Sequence, residues 1–354
     1  MANLPTVLYE LLRELSKLIP KTDLQSLAAL AGTNTAVAAK IVHHCLSIYR
    51  LLKKIPSLSV SKSVMDLVGN TPMLELQNFG KNNEAQSTLI AKLEYRNPGN
   101  SAADRLFAAR FAAAEEAGTI QEHTTIIEAA RPEEAISLAW LGASRGCKMI
   151  ICMEENTPPY VQNRILAYGA ELILDPQPAE KAEYLLHTLP EAVKLPEYSP
   201  SKHSKVHYDS TGPEIWNATQ GKVDVLVGSA ETPDILFGAG QFLKEKKEDL
   251  LVIAVRMTPE GASSQQELAP LFPADHPLLT IYDQVISVSQ QDAAQTAADL
   301  ARSEGLLVGP LSGANALAAV YLTHQKDFTG KSIAILFPDS GLEQIHTEIQ
   351  GNHV

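Results

Sequence analysis

An α/β fold follows from three features of the sequence. From Val64 onward short apolar runs alternate with amphipathic helical stretches, the alternation forms two series, and a helical segment with its own caps and prolines precedes them. Continuous apolar strands separated by helices predict parallel sheets covered on both faces. Two series predict two α/β domains with a cleft between them. Sheets of this kind place ligands at the carboxyl ends of their strands, so the loops there are where function is sought.

Taken in order, residues 1–60 predict an all-helical extension of three helices. Leu8, Leu11, Leu12, Leu15 and Leu18 recur at three- and four-residue steps until Pro20 stops them. Thr22 or Asp23 can cap a second helix that reaches Gly32. A third runs from Thr33-Asn34-Thr35 to Lys53-Lys54, closed by Pro56. Asp23 to Val42 has a loose helix-turn-helix character, but its second helix offers Lys40 and small apolar side chains, with no Arg, Asn or Gln to address base edges. A plain helical hairpin is the favoured reading, and nucleic acid is not an expected partner.

Beyond it, strands are predicted at Thr88 to Leu93, Thr125 to Glu128, Lys148 to Met153, Glu171 to Leu174, Val223 to Val227, Leu251 to Val255 and Ser332 to Phe337. Helices are predicted at Ala102 to Ala117, Glu133 to Arg145, Pro159 to Tyr168, Asp234 to Lys246, Gln290 to Glu304 and Ala314 to His324. His203 and His207 lie four apart in a polar stretch without helical pattern and read as surface residues.

Composition narrows the class. With 354 residues, 45% hydrophobic and 20% charged, the chain can bury one or two substantial cores. No run of 20 apolar residues occurs, and the start lacks the basic and apolar regions of a signal peptide, so a cytoplasmic protein without a transmembrane segment is expected. Cys45, Cys147 and Cys152 lack metal-ligand spacing and read as buried reduced thiols. The net charge of -12 is uneven: residues 1–60 carry seven Lys/Arg against three acids, leaving about -16 on the remainder. That asymmetry gives the extension a role of its own, as a contact for an acidic body or partner.

The turn Asn97-Pro98-Gly99-Asn100-Ser101-Ala102-Ala103-Asp104-Arg105 resembles the Asn-Pro-x-x-Ser-x-Lys-Asp-Arg stretch of the cysteine synthase (O-acetylserine sulfhydrylase) family. Val68-Gly69-Asn70-Thr71-Pro72, Thr211-Gly212-Pro213-Glu214-Ile215-Trp216, Leu311-Ser312-Gly313-Ala314 and Pro338-Asp339-Ser340-Gly341 extend the resemblance from Val64 to about Ile345. It implies the two-domain, fold-type-II, tryptophan synthase beta-like scaffold. The corresponding domains are 61–207 and 208–354, with the first strands crossing to the second domain. It also implies a homodimer and, in the family, pyridoxal phosphate (PLP) bound to the lysine as an imine.

The cofactor loops depart from that pattern. Ala103 stands at the lysine position, and a methyl can neither form an imine nor carry a proton. Ala129-Ala130-Arg131-Pro132-Glu133-Glu134 replaces the hydroxyl- and amide-rich loop that holds the substrate carboxylate and receives the tail of serine acetyltransferase. Glu231-Thr232-Pro233-Asp234 replaces the glycine-rich phosphate loop, and Asp234 reads as a helix N-cap. Between Pro259 and Leu278 no glycine-rich match is found. Thr232 and Ser340 remain as isolated remnants of cofactor contacts.

These departures predict a protein that is not an enzyme and takes no cofactor, with a structural, regulatory or adaptor role through a protein partner on residues 1–60. A second expectation is a refitted cleft of Asn100, Ala103, Arg131, Glu133, Glu134, Glu231 and Asp234. Such a cleft would hold a small ligand or cation, or support PLP-independent chemistry; its blander version has Arg131 plugging the cavity against a carboxylate. No metal site is expected. A third reading keeps a PLP enzyme with another lysine, for which Lys92 is the candidate.

Overall fold

The structure is a computed structural model that describes residues 60–259 and 281–342. The three helices expected in 1–60 lie outside the described residues, as does the segment 260–280 where the glycine-rich match fails.

The described chain runs β1 (Met73–Glu75), α1 (Gln77–Asn82), β2 (Thr88–Leu93), α2 (Ala103–Glu116), β3 (Thr125–Ala129), α3 (Pro132–Arg145), β4 (Lys148–Met153), α4 (Pro159–Ala167) and β5 (Glu171–Leu174). It continues through α5 (Pro178–Thr188), β6 (Ala192–Val193), α6 (Pro200–Asp209), α7 (Thr211–Ala218), β7 (Val225–Ser229), α8 (Pro233–Lys246) and β8 (Leu251–Thr258). After 281 come β9 (Gln284–Ser289), α9 (Gln290–Glu304), α10 (Pro310–Thr323) and β10 (Ser332–Phe337). No helix among the described residues is long and apolar enough to cross a membrane.

Two sheets form. One has the order β1-β2-β10-β7-β8-β9 and the other β5-β4-β3-β6. All pairings are parallel except β1 on β2, where Leu74 faces Ala91. The described chain therefore starts in the larger sheet, builds the smaller one, and returns.

The continuous apolar strands follow from burial of both sheet faces. In β4, Ile150 and Cys152 pack with Ile127 and Ala182 on one face. Met149, Ile151 and Met153 alternate onto the other face, against Phe111 and Leu138. The larger sheet is divided likewise, with Val225, Ile253 and Ile335 facing Ala318 and Leu300, and Leu226, Val252 and Leu336 facing Leu236 and Leu243.

Several elements go unread in the sequence. Pro178 and Pro200 open α5 and α6 at first-turn positions, where a missing N–H costs nothing. Both helices are too polar to show a clear stripe. The helix predicted from Ala314 begins at Pro310, again at a proline start. β1, β6 and β9 are short or half-buried, so they lack the apolar runs of the central strands. Cys152 is buried and its thiol is pushed up to about 11 by burial, whereas Cys147 is only half-buried.

Candidate functional site

The turn between β2 and α2 sets the position of residue 103. Asn100 takes the left-handed conformation, φ +66°. Gly99 donates its N–H to Asp104 Oδ2 at 2.5 Å, and a Cβ on Gly99 would lie 2.4 Å from Asp104 Oδ1. Only glycine allows that approach. Asp104 is fully buried and also accepts from Ser137 Oγ at 2.6 Å and Trp140 Nε1 at 2.9 Å. Burial nevertheless holds its carboxyl above the usual range, against these hydrogen bonds. The arrangement fixes the start of α2, with Ala103 N–H donating to Ser101 Oγ at 3.1 Å.

Behind the turn lies a buried charge network. Arg105 donates from Nε and Nη2 to the two oxygens of Glu94, at 2.6 and 2.7 Å. The same guanidinium grips both oxygens of Glu214, at 2.8 and 2.7 Å. Lys92 donates to Glu214 at 2.5 Å and to the Thr71 carbonyl at 2.6 Å, while the Thr71 hydroxyl donates to Glu94 at 2.6 Å. Two cations and two anions balance. Glu94 is held down to about 2 because the Arg105 guanidinium, with help from Lys92, outweighs burial. Burial lowers the Lys92 ammonium despite both glutamates. Lys92 is thus a member of this network, fully engaged, and does not line the cleft.

The cleft is a cavity of about 330 Å³. It brings together Ala103 from α2, Arg131, Glu133 and Glu134 at the start of α3, and Glu231, Thr232 and Asp234 at the start of α8. Asn100 and Ser340 stand elsewhere. Asn100 Oδ1 accepts from Arg164 at 3.1 Å, and Ser340 Oγ accepts from the Leu342 N–H at 3.3 Å.

Arg131 pairs with Glu134 at 2.7 Å, and that carboxylate also accepts from the Arg131 N–H, so the two close the helix start. The Arg131 side chain is 75% exposed and leaves the cavity open, which corrects the plugged-cavity reading. Bonding to Glu134 raises the guanidinium further. At α8 the N-cap is Thr232, with Pro233 first in the helix; Asp234 follows it and pairs with His203 Nδ1 at 3.3 Å. The N-cap reading of Asp234 is corrected accordingly, because Pro233 takes the first helical position.

Three lining residues carry no weight in the sequence reading: His203, His207 and Asp339. The histidines are not surface residues. Both sit on α6, half-buried and buried respectively, because α6 packs tightly on α8 at Gly238, where a Cβ would lie 2.0 Å from the Ser204 carbonyl oxygen. Their four-residue spacing after Pro200 is the signal that could have found them. His207 Nδ1 shares a hydrogen bond of 2.8 Å with Thr211 Oγ1, and burial pushes the imidazole down to about 4. Asp339 accepts from the Leu311 and Ser312 amides, both at 2.9 Å, and from Ser312 Oγ at 2.5 Å, so an internal carboxylate occupies the N-terminus of α10. Burial raises its carboxyl to about 6. No group of three metal-ligating side chains occurs among the described residues.

The family model described as pyridoxal-phosphate dependent enzyme matches residues 64–339. Cysteine synthase 3 of Caenorhabditis elegans is 33% identical over 284 residues, 76% of this chain and 83% of that protein. Cysteine synthase of Buchnera aphidicola subsp. Acyrthosiphon pisum is 31% identical over 305 residues, 80% of this chain and 95% of that protein. The crystal structure of O-acetyl serine sulfhydrylase isoform 3 from Entamoeba histolytica has a TM-score of 0.72 at 26% identity, covering 84% of this chain and 94% of that one.

These matches overturn two expectations, that the chain is not an enzyme and that it takes no cofactor. The relatives are named as enzymes, and the matching family is one of pyridoxal-phosphate dependent enzymes. The physical reason for the error lies in its basis: substitutions in three loops were set against a body that matches the family and its fold over most of the chain.

Proposed function

The chain belongs to the pyridoxal-phosphate dependent enzyme family, and from that premise we propose that its working site is the cleft between the starts of α2, α3 and α8, refitted to hold a small amine of net positive charge. The observation that carries this reading is the charge of the lining. Among the described residues Glu133, Glu134, Glu231, Asp234 and Asp339 face it against Arg131 alone, which Glu134 already engages. An ammonium about 4 Å from one unpaired carboxylate gains roughly 4 kcal/mol at an effective dielectric of about 20, and an anion is opposed by a similar amount.

The family's cofactor meets a different set of groups here from the one its chemistry uses. Position 103 carries a methyl, no lysine among the described residues lines the cleft, and Lys92 is committed to Glu214 and Thr71. At the α8 start Pro233 has no N–H, and Glu231 and Asp234 stand beside it. The residues present do not fit a lysine-anchored PLP, and a protein imine does not form at residue 103. What the chain's own residues do is bind and orient: carboxylates attract the amine, Arg131 holds Glu134 at the rim, and His203 holds Asp234.

Isothermal titration of the full chain with putrescine, and separately with inorganic phosphate, tests the reading. Saturable heat with putrescine, weakened about tenfold in Glu231→Gln combined with Asp234→Asn, is the expected result. Saturation by phosphate with silence for putrescine would refute it. The family resemblance also supports a homodimer, which sedimentation velocity would check.

A further inference from the structure

We propose that His207 is a specificity-determining residue of the cleft: a fixed N–H donor that selects amines carrying an uncharged oxygen acceptor, such as amino amides and amino alcohols, over free amino acids. The inference rests on the reading above, that the cleft takes a small cationic amine.

Satisfying the buried Thr211 hydroxyl assigns the ring proton to one nitrogen. Thr211 is fully buried, and among the described residues its hydroxyl has one partner, His207 Nδ1. A hydroxyl hydrogen sealed from water and left unpaired costs about 1–3 kcal/mol. Among the described residues the only acceptor offered to it is the Nδ1 lone pair. Thr211 therefore donates, Nδ1 accepts, and the proton of the neutral ring sits on Nε2. His207 is 4% exposed and lines the cleft, and its Nε2 has no protein partner among the described residues. With its pKa lowered to about 4 by burial, the ring stays neutral near pH 7. The cleft thus contains a donor that becomes an acceptor only if the proton moves to Nδ1 and the Thr211 hydroxyl hydrogen is left without an acceptor.

An ammonium gains nothing from a second donor, so it belongs at Glu231 and Asp234. The complementary ligand then has two ends, an ammonium for those carboxylates and an oxygen for Nε2–H. The oxygen should be uncharged. A ligand carboxylate would stand among Glu133, Glu231, Asp234 and Asp339, with only the largely exposed, Glu134-bound Arg131 to compensate. A cavity of about 330 Å³ is large enough for such a short bifunctional molecule.

Calorimetric titration of the full chain with L-serinamide, L-serine and n-butylamine distinguishes the possibilities. L-serinamide should bind about tenfold more tightly than n-butylamine, the worth of one hydrogen bond, and more tightly than L-serine. His207→Phe should erase the advantage over n-butylamine, and His207→Gln, which retains an N–H, should restore part of it. In parallel, nitrogen-15 NMR of histidine-labelled protein should show Nε2 protonated and Nδ1 bare, with Thr211→Val mixing the two tautomers. Equal binding of L-serinamide and n-butylamine overturns the role of His207 and leaves the cationic cleft standing. L-serine binding as tightly as L-serinamide, or a bare Nε2 in the wild-type spectrum, also overturns it. Silence with every amine refutes the cleft reading itself and this inference with it.

Discussion

Replacing Glu94 by glutamine removes one charge from the buried network while preserving side-chain volume. Glu94 is completely buried and accepts from Arg105 Nε and Nη2 and from the Thr71 hydroxyl. A carboxamide turns one of its acceptor atoms into a donor pointed at other donors, and leaves Arg105 and Lys92 facing Glu214 alone. Two routes give the size of the loss. Breaking a buried ion pair from one side costs about 3–5 kcal/mol. Independently, a carboxyl held at about 2 against an ordinary 4.5 favours the ionised folded state by about 3 kcal/mol.

The pH dependence is equally specific. Because the folded-state value is depressed, Glu94 contributes its stability above about 4.5, and that stability is lost as pH falls toward about 2. Glu94→Gln should not show this loss. Lys92 is already lowered by burial, and Glu94 is one of the charges that holds it up. Without that carboxylate Lys92 sheds its proton more readily, so the deficit of Glu94→Gln should shrink between pH 7 and pH 9. Urea unfolding at both pH values, followed by fluorescence of Trp140 and Trp216, gives the comparison. A deficit below about 1 kcal/mol at pH 7, or one that grows at pH 9, would refute the reasoning.

Asp339→Asn should change the acid limb differently. With its carboxyl raised from 3.8 to about 6, wild-type protein takes up a proton on folding and loses up to about 3 kcal/mol as pH rises through that window. The asparagine variant lacks this decline, so its melting temperature should gain on wild type from pH 4 to 7; parallel curves would contradict the assignment. Gly238→Ala should push α6 off α8, since the new methyl meets the Ser204 carbonyl at 2.0 Å. A loss of about 1–3 kcal/mol or more in urea unfolding is expected, together with changed histidine NMR signals as the pair of His203 with Asp234 is disturbed.

Legibility in the sequence follows burial. β2, β4, β10 and α9 have the bounds their residues predict, because strands buried on both faces leave continuous apolar runs and α9 carries a clear cap at Ser289 and a stop at Gly305, while the half-exposed edge strand β5 keeps its bounds through the short apolar run Leu172-Ile173-Leu174. α6 is invisible for the opposite reason: Lys202, His203, Ser204, Lys205 and His207 form no apolar stripe, so a helix that lines the cleft reads as a polar surface. The loops carrying Ala103, Arg131 and Glu231 are located by the turn and strand ends around them. The distances among their side chains, the tautomer of His207 and the seat of Asp339 at α10 depend on chain segments far apart in sequence. Reading those loops by substitution alone also produced the two corrected expectations, since a replaced side chain says what bond is absent and nothing of what the remaining groups can hold.

Thr71, Lys92, Glu94, Arg105 and Glu214 all lie away from the cavity lining. The contacts that tie the outgoing passage between the sheets, at Glu94 and Arg105, to the returning one, at Glu214, are consequently independent of whatever occupies the rim. Selection can exchange rim side chains one at a time without loosening the joint that ties these two passages together. A body still recognisable across about four-fifths of this chain, around an opening with foreign chemistry, is what such a separation of duties permits.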